Sequence, residues 1–224
     1  RALDCGQIQK TVADLCREAN YHLPADVKEA ISSACGREVS PVGREVLERL
    51  LENADIAGEG LFPICQDCGF TVVFLELGQD LHITGGSLEE CIQAGVRQGY
   101  AEGYLRKSVV SDPVFARANT RDNTPAVIFT EIVPGNTVDI TVAAKGGGSE
   151  NKSKMVMLNP GDSIVDWVLK TVPTMGAGWC PPGMLGIGIG GTAEKAMLMA
   201  KESLMDPIDM SELLARGPSN KLEE

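Results

Sequence analysis

Apolar positions change their period twice along the chain. Between Ile8 and Ala19, Val12, Leu15, Cys16 and Ala19 recur at three- and four-residue steps, which puts them on one helix face. Ser40 followed by Pro41 reads as an N-cap with proline at the first helical position, and Val46, Leu47, Leu50 and Leu51 form the next stripe. After Gly58 and Gly60 the pattern turns β-branched and aromatic: FTVVFLEL, ending at Gly78, predicts a buried strand. Ser87 and Glu90 then predict a capping box and a helix to about Lys107, with Arg106 and Lys107 at its C-terminal end. AVIFTEIV, PGN and TVDITVAA predict a hairpin, since Val138, Ile140 and Val142 alternate with polar residues. A helix over Asp162 to Val172 follows. LGIGIGG reads as a strand packed closely against another backbone, Thr192 caps a final helix to about Met205, and the tail from Asp206 is polar. Without regular βαβ alternation, the fold class is α+β: a helical N-terminal third, then a mixed or antiparallel sheet with packed helices, in one domain over 1–224.

Charge and cysteine usage narrow the function. Twenty basic against 31 acidic residues give a net charge of -11, which disfavours nucleic acid and anionic membrane as partners. No run of 18 apolar residues and no signal-peptide pattern occur, so a soluble cytoplasmic protein is expected. Seven cysteines, an odd number without framework spacing, are expected to be reduced thiols, some free to hold metal.

The spacing of Cys65 and Cys68 in PICQDCG serves zinc sites, redox pairs and iron-sulfur clusters alike. Zinc needs four ligands, and no second close pair completes the set, with His22 and His82 far apart in sequence. A thioredoxin-like pair needs a helix N-terminus, whereas this one precedes a strand. Cys180, in GWCPPGM, sits in a loop stiffened by prolines that suits a cluster ligand, although composition alone favours a small buried apolar residue in a Pro-Gly turn. AKGGGSENK lacks both phosphate-loop spacings; its glycines make either an anion-binding nest flanked by Lys145 and Lys152 or a flexible turn. Gln66 and Asp67 place an amide and a carboxylate beside Cys65, and Arg106 is either a bidentate carboxylate clamp or a helix-dipole complement.

In this order, PICQDCG, YLRKS, AKGGGSENK and CPPG resemble the α subunit, or N-terminal domain, of the iron-sulfur hydro-lyases, which include class I fumarases and L-tartrate dehydratases. The likeness runs from about Pro24 to the end. It implies a [4Fe-4S] cluster with Cys65 and Cys180 each binding one iron, and a third Cys ligand beyond Glu224, so that 1–224 is an N-terminal-type domain truncated at its C-terminal end. It implies that Gln66 and Asp67 line the substrate pocket, that Arg106 contacts a substrate carboxylate and that Gly148 offers backbone to the substrate. The catalytic base is expected on the β subunit or C-terminal domain and none in this chain. The implied reaction is the reversible hydration of fumarate to L-malate, with an open iron as Lewis acid, in an α2β2 assembly acting on a small dicarboxylate. L-Tartrate dehydration is the alternative substrate reading. A non-catalytic module that docks the β subunit, and a redox protein using a Cys65 to Cys68 disulfide couple, are alternatives of other classes. The family usually has Thr at the position of Cys68, which makes Cys68 an extra thiol and not an inherited ligand.

Overall fold

The computed structural model describes residues 1–180, 182–221 and 224, which leaves Pro181 of the CPPG motif outside the described residues. The chain forms two compact units, one of residues 1–20 with 65–205 and one of 21–64 with 206–224.

In the first unit, β1 (Ala2–Asp4) runs into α1 (Cys5–Tyr21), and β2 (Phe70–Gly78) and β3 (His82–Thr84) precede α4 (Leu88–Glu102). Ile8, Val12 and Cys16 of α1, Ile92, Val96 and Tyr100 of α4, and Val73 and Leu75 of β2 are buried together as the apolar faces of these elements, as the three- and four-residue spacing on α1 requires. Gly95 and Gly99 let α4 approach α1 closely: a Cβ there would lie 2.6 Å from the Gln9 carbonyl oxygen and 2.7 Å from that of Ala13. β1 pairs in parallel with β3. Each strand leads into a helix, so the first turns of α1 and α4 lie side by side, and Cys5 and Cys91 are joined by a disulfide there. This corrects the expectation of seven reduced thiols; the strand pairing that juxtaposes the two cysteines is invisible in their spacing of 86 residues.

The sheet order is β4 (Val127–Val133), β2, β5 (Val138–Lys145). The expected hairpin between β4 and β5 is therefore not formed. β2 lies between them, parallel to β4 and antiparallel to β5, with the Phe74 and Phe129 rings stacked at 5.4 Å on neighbouring strands. The PGN turn reads locally as a hairpin, but it spans the end of β2: the N–H groups of Gly78, Gln79 and Asp80 donate to the carbonyls of Thr137, Val133 and Gly135. β2 carries the densest run of apolar, β-branched and aromatic residues, and its central place buries most of it. The α+β class stands, with a mixed sheet.

Three shorter helices complete this unit: α5 (Gly147–Glu150), α6 (Ile164–Thr171) and α7 (Ala193–Glu202). The Ser163 side chain caps α6, accepting from the Asp166 N–H at 3.1 Å. LGIGIGG pairs in no sheet among the described residues, and its last two glycines have φ 89° and 72°. Its close approach is to α7, since Cβ atoms at Gly186 and Gly188 would lie 1.9 Å from the Ala200 and Ala196 carbonyl oxygens.

In the second unit, α2 (Ala25–Arg37) packs against α3 (Pro41–Gly58), whose N-cap Ser40 accepts from the Gly43 N–H, as the Ser-Pro signal predicts. The polar tail holds a further helix that the sequence reading left unassigned, α8 (Met210–Arg216), capped by Asp209 through the Glu212 N–H. Among the described residues, no helix is long and apolar enough to cross a membrane.

Candidate functional site

Loop 65–69, which precedes β2, passes from exposed to buried residues. Cys65 and Gln66 are exposed, Asp67 is half-buried, and Cys68 and Gly69 are buried. The two thiols of the Cys-x-x-Cys therefore do different things. Cys68 is 2 % exposed; its Sγ donates to the Cys65 carbonyl at 3.6 Å and accepts the Arg106 backbone N–H at 3.2 Å. Burial pushes the Cys68 thiol up from its ordinary pKa, which keeps it protonated and inert. Cys65 is a free, exposed thiol whose Sγ accepts the Asp67 N–H within its own loop, at 3.4 Å. This arrangement explains the thiol at the position where the resemblance leads one to expect Thr. A side chain is needed there that both donates to the Cys65 carbonyl and accepts from Arg106, and thiol and hydroxyl each do both.

Helix α4 ends at Glu102, about one turn before the expected boundary near Lys107. Gly103 closes it, Tyr104 turns the chain with φ 51°, and Arg106 projects from the following loop instead of the helix end. Ser87 occupies the N-cap without a side-chain bond, and Glu90 pairs with Arg97, so the expected capping box is absent. Leu105 is buried while Arg106 is exposed, and the Arg106 Nη1 donates to the Gln66 Oε1 at 2.8 Å. The guanidinium thus faces a neutral acceptor beside Cys65, with donors left for a carboxylate.

Asp67 uses both carboxylate oxygens on backbone. Oδ1 accepts from Gly69 N–H at 3.2 Å and Oδ2 from Gly147 N–H at 3.0 Å, which fastens the cysteine loop to the glycine turn opening α5. Gly148 in turn lies against residue 178, where a Cβ would sit 2.6 Å from the Gly178 carbonyl oxygen, so the turn admits no side chain. Two residues on, Cys180 has φ 60°, a left-handed conformation uncommon outside glycine, and presents a free, exposed thiol. The motifs around residues 65, 106, 147 and 180 are thereby chained through direct contacts: Gln66 to Arg106, Asp67 to Gly147 and Gly148 to Gly178. Cys65 and Cys180 are not bonded to each other.

Behind the glycine turn, Lys145 donates to the Ser149 hydroxyl at 2.6 Å and lies 3.5 Å from Glu150, which also holds Lys201 at 2.9 Å. Burial pulls the Lys145 pKa down. Burial raises that of Glu150, but the Lys201 and Lys145 ammoniums outweigh it and hold the carboxyl below its ordinary range. Two cations around one carboxylate leave a local excess of positive charge behind the turn despite the acidic chain. Tyr100, for which the sequence predicts only a place in the helix, donates its hydroxyl to the Cys68 carbonyl at 2.6 Å and so supports the loop from beneath. Burial pushes that phenol up to about 12, so it remains a donor. An aromatic residue with a polar tip on a buried helix face is the only signal of this in the sequence.

The sequence model of the fumarate hydratase (Fumerase) family matches residues 9–224. The chain belongs to that family. Among its relatives, the protein provisionally named L(+)-tartrate dehydratase subunit alpha in Methanocaldococcus jannaschii is 36% identical over 212 residues, covering 90% of this chain and 73% of the relative. The anaerobic class I fumarate hydratase of Escherichia coli is 33% identical over 188 residues, and the match covers 81% of this chain but only 34% of that protein. The L(+)-tartrate dehydratase subunit alpha of Escherichia coli is 25% identical over 223 residues, covering 97% of this chain and 72% of the subunit.

Two thiols of the first unit have the exposure that a cluster ligand needs. Cluster iron takes thiolates from accessible cysteines on fixed loops, and Cys65 and Cys180 are free, exposed and linked through Gly148. The other cysteines of this unit do not fit: Cys5 and Cys91 are bonded, Cys68 is turned inward, and burial pushes Cys16 up to about 12. Among the described residues, no group of three His, Cys, Asp or Glu side chains is placed to hold a metal ion by itself.

Proposed function

We propose that this chain is the α-type part of an iron-sulfur hydro-lyase that interconverts fumarate and L-malate together with a β partner, in an α2β2 assembly in the cytoplasm. Both compact units belong to one α-type domain in this reading. The observation that carries it is the Arg106 Nη1 to Gln66 Oε1 bond of 2.8 Å, which sets a cationic carboxylate clamp beside the exposed Cys65 thiol.

Arg106 takes one carboxylate of the dicarboxylate through two N–H donors, and Gln66 fixes the plane of its guanidinium. Asp67 holds the glycine turn so that the backbone at Gly148 faces the substrate, with the positive charge of Lys145 and Lys201 behind it. At contact distance these groups outweigh the net charge of -11, which salt screens over roughly 8 Å. Cys65 and Cys180 would hold two irons of a [4Fe-4S] cluster, with the third thiolate supplied from outside residues 1–224; when bound, the cluster supplies a Lewis acid for the departing hydroxyl of malate. Dehydration removes a proton from the carbon beside the carbinol carbon and hydroxide from the carbinol carbon itself, and hydration is the reverse. The base that takes the proton belongs to the β partner.

L-Tartrate is the second substrate reading, because the two tartrate dehydratase α subunits match over 73% and 72% of their length whereas the fumarate hydratase matches over 34%. Co-expression of the chain with its β partner without oxygen, followed by dehydration assays on L-malate and L-tartrate, decides between them. A higher kcat/KM for malate is expected. A clear preference for tartrate overturns the choice of fumarate, and no dehydration of either by an intact assembly overturns the enzyme reading in favour of a docking module.

A further inference from the structure

We infer that Asn123 is the positioning residue of the carboxylate clamp, holding the Arg106 loop against the cysteine loop; the inference rests on the clamp role proposed for Arg106. Residues 103–109 lie outside any helix or strand, so no regular ladder fixes the backbone that carries Arg106. Asn123 supplies side-chain bonds in place of one, beside the bonds of Asn119 Nδ2 to the Lys107 carbonyl and of the Thr120 N–H to the Val109 carbonyl, each 2.9 Å. It is fully buried, at 0 % exposure, and its side-chain amide makes three bonds to backbone: Nδ2 donates to the Gly69 carbonyl at 3.1 Å, while Oδ1 accepts the Ser108 N–H at 2.7 Å and the Val109 N–H at 3.3 Å. One side chain thereby joins the last residue of the cysteine loop to the second and third residues after the clamp.

Residue type and backbone both fit this task. An amide carries donors and acceptors at once, so it can bridge a carbonyl on one loop and N–H groups on another; Asp offers only acceptors, and Ala neither. Asn123 has φ 63°, and Asn tolerates that left-handed conformation better than most residues. Its segment is anchored from the helix side by Gln93, whose Oε1 accepts the Ala126 N–H at 2.8 Å. Before the clamp, the Arg106 N–H rests on Cys68 Sγ at 3.2 Å; after it, Asn123 grips residues 108 and 109. The Arg106 backbone is thus held on both sides, and the guanidinium reaches Gln66 without its long side chain having to find it. Among the described residues the Asn123 amide bonds to the backbone of Gly69, Ser108 and Val109 and not to Gln66 or the Arg106 guanidinium, so it acts through Arg106.

The test uses the full chain assembled with its β partner, and compares wild type with Asn123→Gly and Asn123→Asp. Glycine removes the side chain while keeping the left-handed backbone unstrained; aspartate keeps the shape and the acceptor but loses the donor to Gly69. Amide hydrogen exchange at Ser108 and Val109 is expected to accelerate at least about tenfold in Asn123→Gly. KM for malate should rise roughly tenfold with kcat within about twofold, the signature of lost binding common to ground and transition state. Asn123→Asp should fall between the two. In an Arg106→Ala background, Asn123→Gly should leave KM unchanged, because a residue acting through Arg106 has nothing left to position. Unchanged exchange at residues 108 and 109, or a KM effect of the same size with and without Arg106, overturns the inference. Exchange is read without turnover: a wild-type assembly that dehydrates nothing defeats the proposed function, while faster exchange in Asn123→Gly still upholds the grip of Asn123 on the Arg106 loop. If Asn123→Gly fails to fold, the same measurements on Asn123→Asp decide.

Discussion

The two halves of the candidate site are held by opposite means. Around Cys65 and Arg106 the fasteners are buried side chains: Cys68, Tyr100 and Asn123 are each 2 % exposed or less, and each bonds to the backbone of a functional loop. Around Cys180 the chain is held near the surface, by the close backbone approach of Gly148 to Gly178, the Trp179 indole bonded to the Gly176 carbonyl, and the ion network of Glu150. Met184, Leu185, Ile187 and Ile189 just beyond Cys180 are exposed. Buried polar bonds to backbone pre-organise a substrate clamp, since leaving them unmade costs about 1–3 kcal/mol each. Under the proposed function, surface backbone contact leaves the Cys180 half to be set by iron or a partner, whereas the clamp half is held by this chain's own buried side chains.

The largest break in this comparison comes from the two thiols. Cys65→Ser and Cys180→Ser should each reduce malate dehydration at least about a hundredfold in the assembled enzyme, with little change in the melting temperature, because both are exposed and neither fastens a loop. Anaerobic activity and calorimetry check both arms, and retention of activity in either variant favours the docking module.

Gly148→Ala comes next, as its Cβ would meet Gly178 backbone at 2.6 Å. A loss of about 1–3 kcal/mol in denaturant unfolding is expected, with weakened cluster retention as residues 178–180 are pushed away. Cys68 separates the two halves more finely. Cys68→Thr should be near wild type, whereas Cys68→Ala should lose about 1 kcal/mol and raise KM, since Arg106 N–H loses its acceptor. In the native chain, alkylation followed by peptide mapping should label Cys65 and Cys180 and spare Cys68 and Cys16, whose burial keeps them protonated and shielded.

The sequence carried the local parts of this account and missed those that depend on distant pairing. α1, α3, α6 and β2 follow from periodicity and caps that lie within each segment. The β4 to β5 hairpin that PGN predicts is not formed: PGN has turn chemistry whether or not another strand is inserted, and Val72 of β2 comes into register with Val127, 55 residues on, only once the sheet forms. The end of α4 was placed late because nothing in YLRKS announces the positive φ of Tyr104. Gln66 and Arg106 were named separately, and the fold brings them together. Cys68 and Asn123 were illegible as fasteners, since a thiol or amide has a bonding partner only when residues 38 and 15 positions away are folded against it.

The smallest expected effect concerns pH. The folded pKa of Glu150 is held below its ordinary 4.5, so the stability from its network is fully present above that value and is lost as pH falls through the lower folded value. Glu150→Gln should flatten this acid limb of the melting temperature against pH and leave stability near neutrality slightly lower, while the clamp half is unaffected.

The most direct test of the central claim is steady-state hydration of fumarate by the chain assembled anaerobically with its β partner, wild type beside Arg106→Lys. Lysine keeps the charge but not the two-pronged geometry. The account predicts that wild type hydrates fumarate and that Arg106→Lys raises KM at least about tenfold with a smaller change in kcat. Equal KM values in the two proteins would contradict the assignment of Arg106 as the carboxylate clamp, and an intact wild-type assembly without hydratase activity would contradict the fumarate reading itself.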